Sequence, residues 1–154
     1  MADEAQRKAG PRGMLARDVL PELLGYHLRR AHGTVVANFA EATTDLDITP
    51  GQFGMIALIR ANPRLSQVDL AAAIGLDKST VAPAVDKLVR RKLIARKPSD
   101  ADRRFNTLTL TPVGETLYQD ALVRIRQHED AISAALTADE RQTLIDLLEK
   151  VHRS

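Results

Sequence analysis

Along most of this chain apolar residues return every three or four positions, the spacing of one helix face, and only between Leu93 and Leu110 does the pattern change to that of strands. Leu20, Leu23, Leu24, Leu28, Ala31, Val35 and Phe39 predict a first helix from about Val19 to Ala42. Thr49 and Pro50 supply an N-cap and a first-turn proline for a second helix. Phe53, Ile56, Ala57 and Ile59 carry its apolar surface to a stop at Asn62-Pro63. Ser66, with Asp69 three residues on, opens a short helix whose expected apolar face is Val68, Leu70, Ala71 and Ile74. Gly75 ends it, and Gly75-Leu76-Asp77 provides a tight turn and a fresh cap. In the next helix Val81, Val85, Leu88 and Val89 face inward, while Lys78, Ser79, Lys87, Arg90 and Arg91 fall largely on other faces.

Leu93 to Lys97 then reads as a strand, Pro98 to Asp102 as a loop, and Phe105 to Leu110 as a second strand, together a β-hairpin. Thr111-Pro112 restarts a helix that runs towards Ala135. A last helix from Thr137 to about His152 shows an apolar seam of Leu144, Leu147, Leu148 and Val151, with too little globule of its own to cover it. The predicted fold class is mainly α with a small β-hairpin.

Charge is concentrated on the same segment. Between Asp77 and Arg104 nine Lys or Arg face four Asp, an excess of five on a chain whose net charge is only +2. A basic stretch on an otherwise mildly acidic protein is the footprint expected where phosphates are neutralised. Helix, turn, basic helix and charged hairpin follow in the order that duplex-DNA readers use. A solvated basic surface is the plainer alternative.

Those residues resemble a known family. Ser66-Gln67-Val68-Asp69-Leu70-Ala71, then Gly75 to Val81, then Val85-Asp86-Lys87-Leu88, and finally Asp102-Arg103-Arg104 leading to Leu110-Thr111 are similar to the winged-helix core of the MarR family of bacterial regulators. The resemblance implies a winged helix-turn-helix core flanked by N- and C-terminal dimerisation helices. The expected division is a flexible tail over 1–13, a dimerisation helix over 14–48, the DNA-binding core over 49–111 and dimerisation helices over 112–154. A two-fold homodimer reads a roughly palindromic operator whose half-sites lie about one helical turn apart. The residues expected at DNA are Ser66, Gln67, Lys78, Ser79, Thr80, Ala82, Pro83 and Lys87 on the helices, and Asp102, Arg103 and Arg104 on the wing, with Arg104 reaching the minor groove or its phosphates.

Pro83 departs from a regular helix, where it costs roughly 3 kcal/mol. Either Ser79 or Thr80 caps the helix late, so that Pro83 falls near the first turn, or the helix bends. The Ala82-Pro83-Ala84 face is then an apolar surface for a thymine methyl.

The resemblance also implies a switch, since many members are repressors released by a small aromatic or anionic compound lodged between the dimer helices and the winged core. Tyr26, His27 and Arg30 on the first helix, with Phe53, Met55 and Arg60 on the second, offer stacking faces and a carboxylate partner. The Gly25 to Arg30 run is similar to regulators of aromatic-acid breakdown, so the expected effector is an aromatic acid or its coenzyme A thioester.

Composition narrows the remaining classes. The 154 residues, 44% apolar and 3% aromatic, suit one helical domain with extensions. There is no cysteine, which excludes disulfides, thiolate metal sites and a thiol-based redox switch. His27, His32, His128 and His152 form no pair at helical spacing, so no metal site and no cofactor are expected. No phosphate loop or nucleophile elbow points to an enzyme. No apolar run spans a bilayer and the polar start has no secretory signal, so the expected location is the cytoplasm and no membrane partner is expected. A winged helix reused as a protein-binding adaptor is the alternative function.

Overall fold

The computed structural model describes residues 17–98 and 106–153. The tail expected over 1–13 lies outside them, as do Asp102, Arg103 and Arg104. Among the described residues six α-helices and three short strands follow in the order α1 (Leu24–Ala42), α2 (Pro50–Ala61), β1 (Leu65–Ser66), α3 (Gln67–Ala73), α4 (Lys78–Arg90), β2 (Ile94–Pro98), β3 (Asn106–Leu110), α5 (Pro112–Ile132) and α6 (Ala138–His152). A boundary between two compact units falls within α1, after Gly33.

The first helix starts later than its apolar stripe suggests. Leu20–Glu22 forms a single 3-10 turn containing Pro21, and Leu23 is extended, which resets the chain before α1 begins. Elsewhere the helix starts are fixed by side-chain caps. Thr49 and Gln52 form a reciprocal capping box, as do Thr137 and Glu140. Ser66 accepts from the Asp69 amide at 3.1 Å and donates to the Asp69 carboxylate at 2.7 Å.

The turn into α4 is a Schellman closure. Leu76 N–H reaches the Ala71 carbonyl and Gly75 N–H the Ala72 carbonyl, with Gly75 at φ +68°. The same closure ends α4, where Leu93 N–H bonds to Leu88 and Lys92 N–H to Val89, but the left-handed residue is Lys92, at φ +58°.

The sheet is antiparallel in the order β1-β3-β2. The hairpin of β2 and β3 is the expected one, and β1 joins its outer edge through Leu65 and Ser66 opposite Leu108 and Thr107. Two residues carry no periodicity, so this strand left no sequence signal.

The main core gathers Met55, Ile56, Ile59, Leu70, Ala71, Val81, Val85, Leu88, Leu93, Ile94 and Leu108 from α2, α3, α4 and the sheet. Val68, expected on the buried face of α3, is instead 58% exposed. A helix this short buries one narrow stripe, and Leu70, Ala71 and Ile74 already fill it. A second cluster joins Phe39, Ile48, Ala121 and Ile125. The seam on α6 is exposed in the single chain, as expected, with Ile145 added to Leu144, Leu147, Leu148 and Val151. No described helix is long and apolar enough to cross a membrane.

The start of α5 packs tightly against the end of α4. Thr111 caps α5 by accepting from the Gly114 amide at 3.0 Å. Its own amide donates to the Leu93 carbonyl at 3.1 Å, and its hydroxyl proton is shared between the carbonyls of Lys92 and Leu93 at 2.6 and 3.1 Å. A Cβ on Gly114 would lie 2.0 Å from the Leu93 carbonyl oxygen, which is backbone and has little freedom to yield. Gly114→Ala is expected to destabilise the fold by about 1–3 kcal/mol through overpacking. Urea unfolding of parent and variant at one protein concentration reads that difference; a loss of a few tenths would mean the joint relaxes freely.

Candidate nucleic-acid interface

The second helix of the helix-turn-helix begins on an acid. Asp77 accepts from the Thr80 amide at 2.9 Å and from the hydroxyls of Ser79 and Thr80, the latter at 3.0 Å. These donors, the Ser79 hydroxyl first, lower the Asp77 carboxyl from 3.8 to about 2. The cap is therefore Asp77, not Ser79 or Thr80, and Pro83 lies inside α4 rather than in its first turn. Both hydroxyl protons point back at Asp77. What Ser79 and Thr80 offer outward is oxygen lone pairs, suited to receive from base amino groups or other donors.

Opposite Val81, Val85 and Leu88, a ridge runs through Ser79, Pro83, Asp86 and Arg90 at i, i+4, i+7 and i+11, exposed at Ser79, Pro83 and Arg90 and half-buried at Asp86. Three consecutive residues cannot share one face of a helix, and the expected Ala82-Pro83-Ala84 surface reduces to Pro83. Ala84 packs against the core and Ala82 is half-buried. Lys78 is exposed in the first turn. Asp86 is held by Arg96 of β2 at 2.6 Å, and the same guanidinium reaches Gln67 of α3 at 3.4 Å. Gln67 and Ser66 thus sit where α3 meets the wing. Ser66 spends its hydroxyl on capping.

Lys87, expected at phosphate, lies on the flank of this ridge and forms an ion pair with Asp47 at 3.4 Å. Arg91, one turn further, donates to the carbonyls of Leu46, at 2.8 Å, and Asp47. The connector between α1 and α2 carries a second acid, Asp45, which binds Arg124 of α5 in a two-pronged contact, one prong at 2.9 Å. The Arg124 hydrogen bonds hold the Asp45 carboxyl below the usual carboxylate range. Arg90, Asp47 and Asp77 were not among the candidate site residues; the helical spacing from Ser79 and Pro83 is enough to find Arg90.

Of the residues expected at an effector, Tyr26, His27 and Arg30 belong to one compact unit and Phe53, Met55 and Arg60 to the other. Tyr26 meets the edge of the His27 ring at 5.4 Å and carries the Arg30 guanidinium 5.4 Å from its centroid, while His27 Nε2 lies 2.8 Å from the Pro21 carbonyl. Phe53 stacks nearly parallel on Tyr118 of α5 with centroids 5.6 Å apart. Arg60 lies 4.7 Å over the Tyr118 ring and is bound to Glu115 through both carboxylate oxygens at 2.9 and 3.0 Å. Gln119 and then Arg60 lower the Glu115 carboxyl. Met55 does not belong with them, because at 4% exposure it is part of the main core. Tyr118 was missed in the sequence, although its spacing from Ala121 and Ile125 puts it beside the buried stripe of α5. Among the described residues no three His, Asp or Glu side chains gather at metal-binding distance.

The cap has a pH signature. The native state binds its proton on Asp77 more weakly than the unfolded chain, so this stabilisation is complete above about pH 4 and is lost as pH falls through about 2. Asp77→Asn is expected to lower the thermal midpoint at neutral pH, with the gap between parent and variant closing over that acid range. A constant gap from neutral pH down to about 2 would assign the stabilisation to shape alone.

Comparison with known proteins follows the same outline. The MarR family profile matches residues 46–104. A putative transcriptional regulatory protein for the hcr operon of Thauera aromatica is 41% identical over 132 residues, covering 84% of this chain and 79% of that one. The transcriptional repressor CouR, in a structure bound to a 23-mer DNA duplex, superposes with a TM-score of 0.84 at 32% identity, over 90% of this chain and 98% of its own. CouR has also been solved bound to p-coumaroyl-CoA, with a TM-score of 0.84 at 31% identity, over 91% of this chain and 99% of its own. Bordetella bronchiseptica BpsR, whose DNA binding is regulated by 6-hydroxynicotinic acid, gives 0.82 at 31% identity over 94% and 99% of the two chains. With a relative of this identity and coverage, and with helix, turn, helix and hairpin in matching order, the chain belongs to the MarR family.

Proposed function

We propose that the protein is a homodimeric transcriptional repressor that binds a palindromic operator and is released by a small aromatic acid or its coenzyme A thioester. The observation that carries the DNA-binding part is the exposed ridge of α4, where acceptor oxygens, an apolar proline and a cation stand in line on the face opposite the core. Ser79, Thr80 and Pro83 approach base edges, and Lys78, Lys87 and Arg90 meet phosphates. On the wing, Arg104 is assigned to the minor groove or its phosphates, with Asp102 fixing its guanidinium and Arg103 contacting the DNA backbone. The exposed seam on α6 is the surface expected to pair with its two-fold mate. Work on chromosomal DNA puts such a repressor in the bacterial cytoplasm.

For the effector, CouR has been solved bound to p-coumaroyl-CoA and the DNA binding of BpsR is regulated by 6-hydroxynicotinic acid, and the feature of this chain that suits a ring with a carboxyl group is the Phe53–Tyr118 stack with Arg60 above it. A carboxylate would replace Glu115 on the guanidinium, exchanging one charge-assisted pair for another. Weakening operator binding a hundredfold takes a difference of about 2.7 kcal/mol in effector affinity between the two states. Burying an aromatic ring is worth about 1.5–3 kcal/mol, so the ring rather than the exchanged pair carries that difference.

Operator fragments selected from a genomic pool should lose affinity linearly in log salt, and Arg90→Ala should weaken operator and random duplex by about the same factor while flattening that slope by about 1. An adaptor without DNA specificity would leave the pool unenriched. Calorimetric titration with aromatic acids and their thioesters, followed by operator release in the same buffer, tests the switch. Arg60→Gln is expected to bind operator as the parent does but to need at least tenfold more acid for release. Release at the parent concentration would remove Arg60 from the effector site.

A further inference from the structure

Lys87 stands one turn from both Pro83 and Arg90, on the flank of the ridge. Its ammonium is already engaged. The partner, Asp47, belongs to the connector between α1 and α2, forty residues earlier in the chain.

The connector is built to deliver that carboxylate. Arg91 donates to the main-chain carbonyls of Leu46 and Asp47, which ties the backbone to the end of α4 without needing the Asp47 side chain. Asp47 itself is left-handed, at φ +46°, a conformation that Asn and Asp adopt more readily than other non-glycine residues. Its carboxylate then lies 3.4 Å from Lys87 and 3.7 Å from Arg91.

The exposure of the pair decides what it does. Asp47 is 73% exposed and Lys87 41%. An ion pair so open to water contributes little to stability and exchanges readily. It is strong enough to bias the position of Lys87 and weak enough for a phosphate to break.

We propose that the Asp47 carboxylate competes with DNA phosphate for Lys87, so that the α1–α2 connector sets how strongly α4 holds duplex DNA; this rests on the reading of α4 as a DNA-binding helix. Phosphate contacts are blind to sequence. The competition therefore lowers affinity for operator and unrelated DNA together, keeping the complex weak enough for a modest effector to dissolve.

The test is a double-mutant cycle on the full-length protein, read by fluorescence anisotropy with a labelled random-sequence duplex at several salt concentrations. Asp47→Asn keeps the left-handed backbone and both carbonyl contacts to Arg91, and an unchanged thermal midpoint confirms it. Its affinity should rise about two- to fivefold at physiological salt, with a salt slope steeper by up to about 0.9. In a Lys87→Met background the same substitution should change affinity by much less. An undiminished rise there would mean that Asp47 acts only by its charge, and the proposal would fall. Unchanged or weaker binding in Asp47→Asn would make Asp47 a strut that positions Lys87, which also overturns it. If the parent bound the duplex without salt dependence, the DNA-binding reading would fail first, and independently of Asp47.

Discussion

Thr111 and the carbonyl of Leu93 hold together four parts of the winged core. The left-handed closure of α4, the first residue before β2, the end of β3 and the first turn of α5 all meet at this contact, through four hydrogen bonds made by one threonine. Gly114 lets the helix start come close enough to make them. Because Lys92 has a side chain yet sits at positive φ, the closure stores a local cost that the surrounding bonds offset. The axis of α4 is thereby referred to the first turn of α5, and the ridge that meets DNA is oriented by contacts on its far side.

Electrostatics on α4 follow a single pattern. Asp77 engages Ser79 and Thr80, Asp86 engages Arg96, and Asp47 engages Lys87. A local excess of positive charge is thus interleaved with acids that are exposed and exchangeable rather than buried. An exposed pair costs little to break, so the basic character of the segment remains available to a strong competitor such as a phosphate backbone while its donors have defined positions beforehand.

Much of this was legible in the sequence because it depends on local chemistry. Thr49-Pro50, Ser66, Thr111-Pro112 and Thr137 mark helix starts by what a hydroxyl does to an orphan amide, and Gly75 marks a turn by its freedom at positive φ. Long-range pairing was harder to read. β1 is two residues long and defined only by its partner, and Asp45 and Asp47 acquire meaning from Arg124 and Lys87, which no spacing rule connects to them. The Ala82-Pro83-Ala84 surface reduces to Pro83 for a different reason: a helix distributes three adjacent residues around its axis, so they cannot form one face. Met55, expected at the effector, lies in the main core because α2 buries a wider arc than its first apolar positions suggest.

Pro83 also alters the main chain of α4. A proline has no amide proton, so the Ser79 carbonyl, one turn earlier on the same ridge, finds no N–H four residues on to receive. That oxygen keeps acceptor capacity that an ordinary helix would have used internally. Side-chain replacement at position 79 does not remove it; a residue with an N–H at position 83 does. Any hydrogen bond made to that carbonyl by a donor outside the helix belongs to the backbone, and is governed by the identity of a residue that takes no part in it.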